Sequence, residues 1–180
     1  QRIEVLRTPK PKANEVLIKV KACGVCHTDL HCIKGEVPFP QPAVFGHEIS
    51  GEVVEYGPLD GAGSRHPLPV GTKVCSTFIM PCGNCAFCKK GEEDTCETFF
   101  ALNRLKGHLY DDSTRLITAE GGEEVAMYSF AGLAEYAVVP APAPAWRVAS
   151  VDIVVPVAVP KSVILATLPS NTSTLADRKE

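Results

Sequence analysis

Eight of the 180 residues are cysteine, and half of them fall in one short run. Cys82, Cys85 and Cys88 follow at intervals of three, and Cys96 comes after seven intervening residues. Four thiolates at this spacing suit a tetrahedral zinc ion with Zn–S bonds of about 2.3 Å, because two-residue gaps let the backbone curl around one centre. Disulfides are the competing reading. Cysteines three apart rarely pair with each other, and a chain kept in a reducing compartment holds its thiols free. Structural zinc on Cys82, Cys85, Cys88 and Cys96 is therefore the expectation, with Glu92, Glu93 and Asp94 as a solvated face of the lobe.

A second two-residue gap separates Cys23 from Cys26, in Cys-Gly-Val-Cys-His-Thr-Asp-Leu-His. These two could bind metal only with a partner from elsewhere. Of the remaining cysteines, Cys26 alone has polar neighbours; Cys23, Cys32 and Cys75 are expected to pack as small hydrophobes. His27, His31 and His47, met singly, would be read as solvated or hydrogen-bonded loop residues.

The elements that must hold these groups are short. Positions 16–22 alternate as Val16, Ile18, Val20 and Ala22 against Lys19 and Lys21, the pattern of a half-buried strand. It leads into one or two helical turns over 26–31, where Thr28 and Asp29 are good capping types. Pro38, Pro40 and Pro42 make a loop. Further strands are expected over 49–56, 72–78 and 133–139, with Gly46, Gly51 and Gly57 marking bulges or close backbone approach, and 58–71 reads as a loop. Short strands, frequent turns and no long amphipathic helix predict a mainly β, barrel-like domain.

Composition narrows the function classes. With 45% hydrophobic and 22% charged residues and a net charge of −3, the chain folds and carries no basic footprint for nucleic acid or for an anionic membrane. A zinc ribbon gripping nucleic acid is disfavoured on that ground. No run of about 20 apolar residues is present to span a membrane. The charge balance favours small-molecule chemistry. Gln1 is not an initiator, and no signal-peptide order follows it; the start is read as incomplete and targeting as illegible, with the cytoplasm as the expected compartment and an organelle left open.

The order of motifs resembles a known family. Cys-Gly-Val-Cys-His-Thr-Asp-Leu-His at 23–31, Gly-His-Glu at 46–48, the four-cysteine lobe and Gly-Leu-Ala-Glu-Tyr at 132–136 are similar in order and spacing to zinc-dependent alcohol dehydrogenases of the medium-chain dehydrogenase/reductase family. Phe-Phe-Ala-Leu-Asn-Arg-Leu-Lys-Gly at 99–107 resembles plant and bacterial members, and the resemblance spans about residues 2–139. It implies a GroES-like, partly open β-barrel over residues 1–148 with a zinc lobe at 80–98, followed by a divergent tail at 149–180.

The resemblance also implies roles. Cys26 and His47 fall on ligand positions of the family's catalytic zinc, which acidifies a bound alcohol as it lowers the pKa of bound water from about 15.7 to about 7. Thr28 falls on the hydroxyl that takes the alcohol proton, and His31 on the imidazole that passes it to solvent. His27 falls on the basic position against the coenzyme pyrophosphate. Asp29 falls on the carboxylate that orients the histidine ligand, and Glu48 on a carboxylate near the metal, read as standing behind the ligands.

After Val139 the likeness fades. The family's third ligand has no clear counterpart; 162–167 is only faintly similar to that segment, and Thr167 would be a poor zinc ligand. The two-donor site is expected to hold zinc partially. No Gly-x-Gly-x-x-Gly opens a helix after a strand, and Gly61-Ala62-Gly63-Ser64-Arg65-His66 reads as a loop. A coenzyme-binding Rossmann domain is thus expected to be absent from these 180 residues, with NAD(P) bound only in a full-length relative. Two function classes follow: the catalytic-domain part of an alcohol dehydrogenase converting small alcohols to aldehydes or ketones, inactive by itself, or a non-enzymatic zinc domain that pairs with or decoys a full-length relative as a homo- or hetero-oligomer.

Overall fold

The computed structural model describes residues 2–58, 68–140, 147–148 and 163–166. Most of the loop read over 58–71 (residues 59–67) and most of the tail read over 149–180 (residues 149–162 and 167–180) lie outside the described residues.

The strands are β1 (Arg2–Glu4), β2 (Glu15–Gly24), β3 (Ala43–Val44), β4 (Glu48–Tyr56), β5 (Lys73–Cys75), β6 (Leu116–Ile117), β7 (Glu124–Met127), β8 (Tyr136–Pro140), β9 (Arg147–Val148) and β10 (Val163–Ala166). Two short helices, α1 (His27–Ile33) and α2 (Ala86–Lys90), a 3-10 turn at Glu93–Thr95 and a π-helical turn at Phe99–Arg104 complete the described elements. The strands form two five-stranded sheets, ordered β1-β10-β3-β7-β6 and β8-β2-β4-β5-β9. No described helix is long and apolar enough to cross a membrane.

The long strand β2 organises the second sheet. It pairs antiparallel with β4 on one side and β8 on the other. It is buried on both faces at its start, with Val16, Leu17 and Ile18 all in the core. The simple alternation expected from sequence holds only from Ile18 onward, where Lys19 and Lys21 reach solvent. Val20, Val53, Val74, Ala137 and Val139 join the same core, each large aliphatic side chain contributing roughly 1.5–3 kcal/mol by leaving water. A register shift between Val20 and Ala22 lies opposite Gly51 and Ser50, where the sequence placed a bulge.

The first sheet is built of pieces too short to show periodicity. β3 pairs parallel to β7, and β10 lies between β1 and β3, antiparallel to both. β10 comes from the segment 149–180 that sequence set apart as a tail; its register joins Leu165 to Arg2 on one side and Val44 on the other. Residues 163–166, faintly similar to a ligand-bearing segment, are therefore committed to a sheet, while Thr167 lies outside the described residues. The strand expected over 72–78 is only three residues long, and Ser76 leaves it to accept from the Ile49 amide at 3.2 Å.

One buried ion pair ties the start of β2 to the segment before β6. Arg115 Nε donates to Glu15 Oε2 at 2.9 Å, its Nη2 binds Glu15 Oε1, and Nη2 also reaches Asp111 Oδ1 at 3.0 Å. Lys12 N donates to Glu15 Oε2 at 2.8 Å. Both side chains of the pair are more than nine-tenths buried. Removing one partner strands a charge out of water, so Arg115→Met is expected to lose about 3–5 kcal/mol of stability. Glu15→Leu combined with Arg115→Met should be more stable than Arg115→Met alone in urea melts; a double variant weaker than the single would contradict this account.

Candidate metal centre and catalytic cleft

The β2–β4 ladder ends at the pair Gly24–Glu48. Cys26 lies two residues past that end on one strand, and His47 one residue before it on the other. The ladder thus delivers both to one place although 20 residues separate them in sequence. A ligand atom each from Cys26, His47 and Glu48 lies within 4.8 Å of the others.

Asp29 fixes the arrangement. Its Oδ1 accepts from Gly46 N at 3.1 Å and from His47 Nδ1 at 3.2 Å, while Oδ2 accepts from Cys26 N at 3.4 Å. With Nδ1–H committed to a carboxylate, Nε2 is the nitrogen of His47 left with a free lone pair. Gly46 sits at φ +98, and a Cβ there would come within 2.6 Å of Leu133 N and 2.8 Å of Cys23 Sγ. Main-chain bonds from Gly132 N to Gly46 O at 2.7 Å and Leu133 N to Phe45 O at 2.8 Å clamp that turn. The Gly-Leu-Ala motif therefore acts as a backbone brace behind His47.

The electrostatics shift both donors. Thr28 Oγ1 lies 3.4 Å from Cys26 Sγ, and this hydroxyl holds the Cys26 thiol below its ordinary range. Burial opposes the charged form of His47, but the Asp29 carboxylate outweighs it and raises the imidazole pKa. Cys23, three residues away, is pushed up to about 11 by burial and stays a neutral packing residue. Cys32 is buried among Ala43, Phe45 and Tyr128.

The other residues singled out by sequence lie along α1. Thr28 is half-buried, and Asp29 is buried. His27 is exposed and stacks on His31 with ring centroids 4.5 Å apart and an interplanar angle of 16°. His31 Nδ1 contacts Glu36 Oε2, and Glu36 N donates to His31 O at 2.9 Å. The imidazole holds the Glu36 carboxyl below its usual range. Cys26, His47 and Glu48 thus come together, with Thr28 and Asp29 beside them. Sequence read Glu48 as standing behind the ligands; in the structure one of its carboxylate oxygens lies within 4.8 Å of the Cys26 sulfur and a His47 ring nitrogen.

Three neighbours had no sequence signal. Phe78 lies with its ring 4.5 Å from that of His47, Tyr128 flanks the same imidazole at 5.7 Å, and Glu36 contacts His31. Each is brought in by a separate segment, with no motif to announce it.

The four-cysteine lobe assembles locally. Cys82, Cys85, Cys88 and Cys96 place their sulfurs within 4.8 Å of one another. Backbone amides point at the sulfurs: Cys85 N and Cys96-directed Cys82 N at 3.3 Å, Asn84 N onto Cys82 at 3.4 Å, and Cys88 N onto Cys85 at 3.5 Å. Burial opposes the Cys82 thiolate, yet bonds from the Thr98 hydroxyl and these amides bring it down to about 6, whereas burial and the neighbouring sulfurs push Cys88 up to about 12. Four such thiols cannot all ionise beside one another without a cation. The donor set, all sulfur and served by N–H donors, fits a zinc ion.

The lobe is joined to the cleft by rings. Phe99, three residues after Cys96, is fully buried and meets Phe78 edge-on at 6.2 Å. Asn103 secures the same junction, accepting from Ser129 N at 2.8 Å and donating to Met127 O at 3.1 Å.

Comparison with known proteins agrees with this architecture. Residues 12–149 match the model of the alcohol dehydrogenase GroES-like domain. An alcohol dehydrogenase of Geobacillus stearothermophilus is 42% identical over 100 residues, covering 53% of this chain and 28% of that protein. An alcohol dehydrogenase zinc-binding domain protein from Burkholderia ambifaria superposes with a TM-score of 0.63 at 38% identity, over 75% of this chain and 34% of that one. A cobalt- and zinc-bound thermostable alcohol dehydrogenase from Pyrobaculum aerophilum gives a TM-score of 0.55 at 31% identity, over 81% and 36%. The chain spans about a third of the length of these relatives. Its two sheets and four-sulfur lobe are the GroES-like fold, and the chain belongs to the alcohol dehydrogenase GroES-like domain family.

Proposed function

We propose that this chain is the metal-binding, alcohol-handling part of a zinc-dependent alcohol dehydrogenase, with structural zinc on Cys82, Cys85, Cys88 and Cys96 and a second ion on Cys26, His47 and Glu48. The observation that carries the reading is the convergence of those last three side chains under the control of one buried carboxylate, Asp29. An ion bound there supplies Lewis acidity, which makes an alcohol a better proton donor.

The chain's own residues account for the rest of the chemistry. Asp29 keeps Nδ1 of His47 protonated and turns Nε2 toward the donor cluster. The Thr28 hydroxyl, next to Cys26 Sγ, is placed to accept the proton an alcohol gives up. His31, half-exposed and one helical turn further along α1, exchanges that proton with solvent, and Glu36 steadies its ring. His27 offers a cationic or hydrogen-bonding group to a coenzyme phosphate. Phe78 presents an apolar wall beside His47, suited to the carbon side of a small alcohol.

The hydride acceptor, NAD(P), is proposed to be held in full-length relatives by residues outside the 12–149 match. Purified as these 180 residues, the chain is therefore expected to produce no NADH or NADPH from alcohols. Turnover above a Cys26→Ser control in that assay would overturn this division of labour.

Metal analysis separates the two sites. Two equivalents of zinc should bind with unequal affinity, the weaker being drawn off first by a chelator. Cys26→Ser is expected to lose the weaker equivalent and melt close to the parent. Cys88→Ser should lose the tighter one and melt several degrees lower, since binding to a preformed structural site adds directly to folding stability. The reverse pattern of melting temperatures would exchange the structural and catalytic assignments.

A further inference from the structure

We infer that Gly24 is a positioning residue for the second metal site: the space left by its missing side chain is what allows the Glu48 carboxylate to lie among Cys26 and His47. This rests on the reading of Cys26, His47 and Glu48 as one metal site.

Gly24 and Glu48 are directly opposed across the antiparallel β2–β4 ladder, and they are its terminal pair. Side chains opposed in this way stand on the same face of the sheet about 4.5–5.5 Å apart at Cβ, so any side chain at position 24 would run alongside that of Glu48. A Cβ built on Gly24 would lie 2.2 Å from Glu48 Oε2, 3.0 Å from its Cβ and 3.2 Å from its Cδ. The carboxyl group is thus folded across the glycine instead of extending into the water that Glu48 otherwise faces. Folded that way it points along β2 toward Cys26, two residues on, and one of its oxygens falls within 4.8 Å of the Cys26 sulfur and a His47 ring nitrogen.

The cost of filling that space falls on the carboxylate and not on the main chain. Gly24 is a strand residue outside the left-handed region, so its backbone accepts an L side chain. The three atoms nearest the added Cβ all belong to the Glu48 side chain: its carboxylate can swing away into solvent, and its Cβ, at 3.0 Å, has to give by only a few tenths of an ångström. Alanine at 24 therefore leaves the strand in place while moving the third donor off the site. Gly46 differs on this point, since the atoms crowding it include the backbone of Gly132 and Leu133.

The test is titration of the full 180-residue chain with Co2+, following the visible absorption of the second site after the lobe has been filled. Gly24→Ala is expected to weaken second-site affinity by about 10-fold or more, with lobe affinity unchanged. Glu48→Gln should weaken it similarly, and the double variant Gly24→Ala/Glu48→Gln should be no weaker than Glu48→Gln alone, because both changes remove one contact. Thermal melts provide an independent arm: Gly24→Ala should cost less stability in a Glu48→Ala background, where only the Cβ contact is left, than in the parent. Parent-like Co2+ affinity in Gly24→Ala, multiplying losses in the double variant, or destabilisation undiminished in the Glu48→Ala background would each overturn the inference alone. A parent chain that takes up only the lobe's equivalent would overturn the site reading and this inference with it.

Discussion

The buried carboxylate of Asp29 is the interaction on which the cleft depends. It locks together two segments that the β2–β4 ladder brings side by side: the start of α1 through Cys26 N, and the turn before β4 through Gly46 N and the imidazole of His47. Charge-assisted bonds of this kind are roughly twice as strong as neutral ones, and here they act where water is excluded. The dependence is mutual. Burying this carboxylate costs free energy unless such donors bond to it, and the donors need it to hold their geometry. Cys26 gains its helix-end position, His47 its tautomer and Gly46 its hydrogen bond from a single side chain.

The two sulfur-bearing sites differ in how the chain builds them. In the lobe, four ligands fall within fifteen residues, and local turns with amide-to-sulfur hydrogen bonds suffice to gather them. In the cleft, Cys26 and His47 meet only because β2 and β4 pair in one register, and a slip of one residue would turn Glu48 to the opposite face of the sheet. The cleft therefore depends on the core that fixes the register, through Ile18, Val53 and Val74. The rings of Phe99 and Phe78 connect the two sites physically, so folding of the lobe helps define the wall against which His47 rests.

The sequence was most informative where chemistry and spacing are local. The cysteine run announced the lobe without knowledge of the fold, and the alternation of β2 and the apolar, glycine-marked run of β4 placed those two strands, though not their pairing. Gly132, Leu133 and Ala134 were legible as part of a motif, though their work as a brace behind Gly46 became visible only in three dimensions. Other features were hidden for physical reasons. β3 and β6 are two residues long, too short to carry a period of two, and β3 pairs in parallel with a strand about eighty residues away. β2 is buried on both faces at its start, which alternation alone does not encode. The side on which Glu48 stands follows from its partner across the ladder, Gly24, and a linear motif has no means to express that. The same holds for Phe78, Tyr128 and Glu36, whose importance comes from contact with His47 or His31.

The central claim, that Asp29 holds His47 as the Nδ1–H tautomer so that Nε2 faces the donor cluster, is open to direct observation. Long-range 1H–15N correlation spectra of the histidine rings, recorded before and after zinc addition, should show the His47 Nδ1 resonance at a protonated position throughout and the Nε2 resonance shifting as metal binds. A His47 ring protonated at Nε2, with zinc perturbing Nδ1, would place the metal on the side that Asp29 occupies and contradict the account.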